Sequence, residues 1–272
     1  MHPITPCLTG FVLLALFAPA AAADTWRALD AANTLVIDTG NGAIVTELRP
    51  EFAPQGVARI KLLAREGVYD GLLFHRVIDG FVAQTGNPNN RDGGVSRHPD
   101  LPPEFMFRLE PSIAHTMVTE ASDAIGGFVG AAPFVGEARA TEKFTAKPPR
   151  AWGIYCAGAV GMGRQEGVGT ANSEIFFMRE PARRLDHTYT LVGITVAGLD
   201  VVRALAVGEP PSAPDRMIRV RVLEDMPEAE RPRLEIMDTR SEAFRARVNE
   251  VRAAKGADFS LCDVEVPVRG AH

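Results

Sequence analysis

The sequence predicts a mainly β protein: an antiparallel sheet closed on itself, with one helix early in the chain and another late. Three observations carry that reading. Short runs rich in Val, Ile, Leu and Phe recur between glycine-bearing turns, helical spacing is confined to a few places, and no internal repeat or low-complexity tract interrupts them. The chain has 272 residues, of which 46% are hydrophobic and 23% charged, close to ordinary globular usage, so a sizeable core can be buried. The formal charge of −5 leaves no basic footprint for nucleic acid.

The first segment reads as a leader rather than as fold. Leu8 to Ala18 is almost wholly apolar and runs into Pro19 and the alanines 20–23, after which Asp24 opens a polar stretch. A short apolar core ending in small residues is the pattern of a secretory signal peptide, residues 1–23, with cleavage after Ala22 or Ala23, although no Lys or Arg precedes it. The run is shorter than the ~20 apolar residues of a spanning helix, so no membrane insertion is expected once it is removed. A periplasmic or secreted protein follows. Cys7 leaves with the leader, and Cys156 and Cys262 remain. In an oxidising compartment they form one disulfide or stay as two buried thiols, and the sequence leaves both open.

The elements follow in order. Leu35 to Ile37 and Ala43 to Leu48 flank T-G-N-G, which predicts a hairpin. From Ala53 to Glu66, Val57, Ile60 and Ala64 share one face, Pro54 suits a first turn and Gly67 a stop, so a packed amphipathic helix is expected. Residues 69–88 are β-rich and punctuated by Gly71, Gly80 and Gly86. Residues 89–150 look loop-rich, a long insertion studded with glycines in GGFVGAAPFVG. The runs WGIYCAGAVGMG, SEIFFM, YTLVGITV and IRVRVLED are further strands, and a second helix is expected over Leu199 to Val207. Beyond Pro227 the composition shifts to Glu, Arg and Pro; Asp238 or Ser241 can cap a helix carrying Phe244, Val248 and Val251 on one stripe and ending at Gly256, and CDVEVPV alternates like an edge strand. The division expected is a leader over 1–23, a β domain over 30–225, and an extension over 226–272 packed on or tethered to it.

The stretch YDGLLFHRVIDGFVAQTGNP, Tyr69 to Pro88, resembles the signature of the cyclophilin family in F-H-R (Phe74, His75, Arg76), G-F (Gly80, Phe81) and Q-x-G (Gln84, Gly86). GAVGMG followed by NSEIFFM, and LDHTYTLVGITVAGLDVV, match further family blocks in the same order, so the resemblance spans residues 33–225 and leaves out the tail. It implies a closed eight-stranded antiparallel barrel capped by two helices, and peptidyl-prolyl cis/trans isomerisation without cofactor or metal. The expected partners are proline-containing polypeptides, and a monomer is expected.

Rotation about an amide faces about 18–20 kcal/mol, and X–Pro isomers exchange over tens to hundreds of seconds. In the twisted transition state the prolyl nitrogen becomes a hydrogen-bond acceptor, so a guanidinium aimed there helps only at that moment. The resemblance gives that role to Arg76, with Gln84 orienting it and binding substrate backbone. It puts Phe81, Val82 (where Met is usual), Phe176 and Leu185 around the proline ring. Aligning S-E-I-F-F without a gap selects Phe176; the competing alignment would select Phe177. Tyr189 takes the place of a common His and can hold a substrate carbonyl, and Glu174 stands at the groove where Gln is usual. His75 is expected to be structural, pointing away from Arg76. Arg184 replaces a Trp tied to cyclosporin affinity, which predicts weak drug binding. No H-E-x-x-H, G-x-S-x-G, zinc or phosphate-loop pattern competes. The alternative function is a non-catalytic proline-binding or chaperone module; a binder needs the pocket but not the guanidinium.

Overall fold

The computed structural model describes residues 25–89, 95–138 and 147–271, so the leader expected over 1–23 lies outside the described residues. The main sheet starts as the sequence predicts. β2 (Thr34–Thr39) and β3 (Gly42–Leu48), which follow a short β1 (Trp26–Ala28), pair antiparallel from Thr34↔Glu47 to Thr39↔Gly42 around a two-residue loop. α1 (Pro54–Arg65) then buries Val57, Ile60, Leu63 and Ala64. Its first N–H groups, on Gln55 and Gly56, donate to the Glu104 carboxylate at 3.1 and 2.8 Å, placing an anion at the positive end of the helix.

The remaining strands of this sheet are β4 (Arg76–Val77), β5 (Val82–Thr85), β11 (Ala159–Arg164), β12 (Ala171–Met178), β13 (Leu191–Ala197) and β14 (Met217–Val222). Their order is β14-β2-β3-β13-β11-β12-β5-β4, eight strands in all. The closed barrel expected from the sequence is corrected here: the sheet curls into an open half-barrel. β4 is only two residues long and turns away at Gly80, so the two edges meet through the isolated bridges Leu73↔Arg216 and Val77↔Gly208 instead of a ladder. The hollow is filled by Ile37, Ile44, Ile60, Phe74, Ile175, Phe177 and Val220, with α1 and the short α2 (Leu199–Ala204) packed against the sheet.

The stretch read as loop-rich is a second correction. It carries β6 (Phe107–Arg108), β7 (Thr116–Glu120), β8 (Ala124–Val129), β9 (Ala132–Glu137) and β10 (Arg150–Gly153), arranged β6-β10-β9-β8-β7. Gly130 makes the β8–β9 turn, but Gly126, Gly127 and Gly136 serve close approach: a Cβ on Gly127 would run into the Thr116 carbonyl oxygen across the ladder. This sheet covers part of the outer face of the main sheet through Val36, Val45, Ile125, Val129 and Phe134. Fully buried Glu47 ties the layers, taking Arg49 at 3.0 Å and the Ala131 N–H at 2.8 Å.

The tail forms β15 (Arg233–Met237), α3 (Glu242–Lys255) and β16 (Val268–Ala271), with β15 between β1 and β16. Ser241 caps α3, accepting from the Phe244 N–H at 3.2 Å. The edge strand expected at 262–268 begins only at Val268, since Leu261–Asp263 form a 3-10 turn. Phe244 packs edge-on to Phe128 at 5.2 Å, and Cys156 is joined to Cys262 by a disulfide with Cα atoms 5.0 Å apart. Among the described residues no helix is long and apolar enough to cross a membrane.

Candidate active site

Strand register assembles the site. Arg76 of β4 faces Gln84 of β5, Gln84 faces Phe176 of β12, and Phe176 faces Gly161 of β11, giving one row across four strands on the outer face. Because side chains alternate with period two, Val82 and Glu174 share this face, while Ile175 and Phe177 enter the hollow. Phe177 is fully buried there, which decides between the two alignments in favour of Phe176.

Beyond the reach of the second sheet, a cavity of about 360 Å³ opens on this row. Arg76, Phe81, Val82, Gln84, Phe176, Leu185 and Tyr189 line it, so seven of the eight residues singled out in the sequence meet at one place. Glu174 is placed differently from the substrate groove expected for it. It is 7% exposed and lies behind Gln84, off the cavity wall. Phe176 forms a wall of the slot, stacked on Tyr155 at 5.7 Å and edge-on to Tyr189 at 5.6 Å. Tyr155 is fully buried, and that burial pushes its hydroxyl pKa well above the ordinary value, so the group stays neutral.

The polar half of the site is a chain of paired groups. The Arg76 Nη1–H donates to Gln84 Oε1 at 3.1 Å, and its Nε–H donates to Glu209 Oε2 at 2.7 Å. The Gln84 Nε2–H in turn donates to Glu174 Oε1, whose other oxygen lies 3.4 Å from His75 Nε2. His75 is buried behind the row, as expected of a structural residue next to an outward Arg76. A carboxylate only accepts and a guanidinium only donates, so the Gln84 amide has one satisfactory orientation between them. The guanidinium retains free N–H groups for a ligand in the slot.

Three features escape sequence reasoning. Glu209 comes from the loop after α2, 133 residues from Arg76, with no local pattern to mark it. Arg164 lines the cavity with its guanidinium carbon 4.6 Å from the centre of the Tyr189 ring, and Arg184, already noted in place of a Trp, stacks 4.3 Å over Phe81. Gly161 and Gly163 are spaces kept for their neighbours: a Cβ at 161 would lie 2.4 Å from Phe176 Cζ, and one at 163 would lie 2.3 Å from Glu174 Oε1. Among the described residues no three His, Cys, Asp or Glu side chains converge to hold a metal.

Comparison with known proteins bears on this geometry. The family model for the cyclophilin type peptidyl-prolyl cis-trans isomerase/CLD matches residues 34–223. A probable peptidyl-prolyl cis-trans isomerase of Brucella suis is 32% identical over 220 residues, covering 75% of this chain and 89% of the relative. Peptidyl-prolyl cis-trans isomerase B of Bacillus subtilis is 30% identical over 174 residues, covering 64% and 90%. The crystal structure of the cyclophilin AquaCyp293 from Hirschia baltica is similar at a TM-score of 0.81 and 30% identity, covering 91% of this chain and 94% of that one. That likeness therefore reaches past residue 223 into the C-terminal extension.

Proposed function

The chain belongs to the cyclophilin-type peptidyl-prolyl cis-trans isomerases, and from that premise we propose that Arg76 is its catalytic donor and that the slot beside it seats the substrate proline. The observation that carries this assignment is the meeting of one guanidinium with Phe81, Val82, Phe176, Leu185 and Tyr189 in a single cavity.

Isomerisation needs no bond made or broken. The prolyl ring enters the apolar slot and is held while the preceding carbonyl rotates; the Tyr189 hydroxyl holds that carbonyl. As amide resonance is lost, the nitrogen lone pair localises and accepts from Arg76, an interaction absent in either planar isomer. Gln84 and Glu209 keep the guanidinium from swinging out to solvent, which sharpens its aim. Gln84 acts chiefly on Arg76, with one amide hydrogen left for substrate backbone. Glu174 and His75 support Gln84 from behind and touch no substrate.

The substrates are proline-containing polypeptides, and the setting is the folding of exported proteins in the periplasm or outside the cell. The apolar Leu8 to Ala18 leader and the Cys156–Cys262 disulfide both support an oxidising, exported location. The working unit is a monomer, with residues 226–272 as an extension fastened to the isomerase domain.

The test is the isomerisation rate of a short proline peptide by the mature protein and by Arg76→Ala. A charge-assisted hydrogen bond is worth about 1.5–3 kcal/mol, so kcat should fall by roughly one to two powers of ten while KM changes little. Equal rates in the two proteins would remove Arg76 from the mechanism.

A further inference from the structure

We infer that this isomerase selects X–Pro bonds flanked by an acidic residue, through Arg164 and Arg184 on two walls of the proline slot. The inference rests on the assignment of that slot to substrate.

Both guanidiniums are fixed on rings that line the cavity. Arg184 stacks over Phe81 at 4.3 Å and Arg164 over Tyr189 at 4.6 Å. Arg164 is pinned further: its Nε–H donates to the Thr188 carbonyl at 3.3 Å, and its Nη1 to the carbonyls of Gln165 and Glu166 at 3.1 and 3.2 Å. Stacking engages the face of a guanidinium and leaves its edge: Arg184 keeps its whole fork for a carboxylate, and Arg164, with Nε and Nη1 taken by backbone carbonyls, keeps Nη2.

Neither arginine has a carboxylate partner among the described residues, and the surroundings make that unusual. Arg76 is paired with Glu209, Arg179 with Asp79, Arg183 with Asp186 and Arg203 with Glu180. These carboxylates are thus consumed, and exposed Glu166 gives Arg164 only its backbone carbonyl, so the two charges without a carboxylate partner are the two stacked on slot walls. In a chain of net charge −5 this is a local positive collar around the slot. A proline whose neighbour is Asp or Glu can place the ring in the slot and the carboxylate on the Arg184 fork or on Nη2 of Arg164. Lysine at that position meets two like charges.

The experiment uses tetrapeptides that differ only in the residue before or after proline: Glu, Gln or Lys. Each enzyme is compared as the ratio of kcat/KM for Glu and Lys peptides, so a general loss of activity cancels. A solvent-exposed ion pair is worth up to about 1 kcal/mol, so the wild-type ratio should be of order tenfold at low ionic strength at one position or the other. It should shrink toward unity in about 0.5 M salt, where charges are screened within a few Å. Arg184→Gln and Arg164→Gln should each lower the ratio, and the double variant should bring it near one. A wild-type ratio near one at both positions, with the Gln peptides still turned over, overturns this inference and leaves the isomerase assignment standing. So does a ratio that survives in the double variant. Failure to turn over even the Gln peptides would instead overturn the slot assignment on which the inference depends. The salt series on the unaltered protein separates the same outcomes without any substitution.

Discussion

Gly161→Ala tests whether Phe176 is a wall of the slot. The added methyl would lie 2.4 Å from Phe176 Cζ, 2.9 Å from its Cε1 and 2.6 Å from the Tyr155 hydroxyl oxygen. Ordinary carbon contacts need about 3.5–4.0 Å, so the ring must move by about an ångström. It has little freedom, since Tyr155 is fully buried on one side and stacked at 5.7 Å, and the backbone of β12 is held by two neighbouring strands. The open direction is the slot itself. Overpacking of this kind costs about 1–3 kcal/mol of stability, and at about 2–4 °C per kcal/mol for a chain of this size Tm should drop by roughly 2–12 °C. If the displaced ring denies a bound proline about 50 Å² of apolar contact, the loss is about 1.2 kcal/mol, close to tenfold in kcat/KM.

The proline ring is held equally in the planar and twisted states. The change should therefore appear in KM with kcat nearly intact, opposite to the pattern expected for Arg76→Ala. Gly169→Ala is the control, because a Cβ there meets nothing within 4 Å. An unchanged KM for Gly161→Ala would refute the placing of Phe176 in the substrate slot, whatever happens to Tm.

Glu209→Ala should lower kcat/KM by about three- to tenfold by freeing one end of Arg76, and Glu209→Gln, which still accepts a hydrogen bond, should restore most of it. Because Glu209 is 53% exposed, stability should change by less than about 1 kcal/mol, so a large Tm shift would argue for a structural role. Glu47→Ala should be far more damaging, about 3–5 kcal/mol by denaturant titration, because it strands the buried Arg49 and the Ala131 N–H between the two sheets; a loss below about 1 kcal/mol would mean that water replaces the carboxylate. In the extension, the hydrogen bonds from Arg240 to Asp238 and from Lys255 to Asp263 hold both carboxyls below the usual range. Their stabilisation is complete above the unfolded value near 3.9 and is lost as pH falls through the lower folded values. Tm should therefore drop between about pH 5 and pH 3, and Asp263→Asn should flatten part of that slope; an identical slope in the variant would remove Asp263 from the account.

What could be read from the sequence divides along the range of the interactions. Arg76, Phe81, Val82 and Gln84 lie within nine residues, on two strands and the tight turn that joins them, so a local motif fixes their relative placement. Phe176 came from the ungapped family alignment of S-E-I-F-F, with Phe177 as the competitor, and it is strand alternation in the structure that puts the two on opposite faces. The second sheet was not legible, because Gly126, Gly127 and Gly136 look like punctuation, as Gly130 in the β8–β9 turn is, until the strands they let approach are known. The closed barrel was overdrawn for a related reason. Strand count can be read from hydrophobic runs, but closure depends on whether two edges are long enough to ladder, and β4 offers two residues. Glu209 and the stacking of Arg164 and Arg184 are settled by loop geometry that leaves no mark on local pattern.

The departure at Glu174 shows why local and long-range information must be joined. From sequence, an acid where the family resemblance leads one to expect Gln looks like extra charge in the groove. The structure puts that charge behind Gln84, where it does something an amide does not. With Gln at 174, either end of the Gln84 amide could face it, and the end turned toward Arg76 would be ambiguous. A carboxylate removes the ambiguity: it draws the Gln84 NH₂, turns the carbonyl toward Arg76, and so makes Gln84 an acceptor for the guanidinium. Glu209 does the same from the opposite side, at the Nε–H. Arg76 is therefore held between one acceptor oriented by a buried acid and one acceptor that is itself an acid, which leaves its remaining N–H groups to the slot.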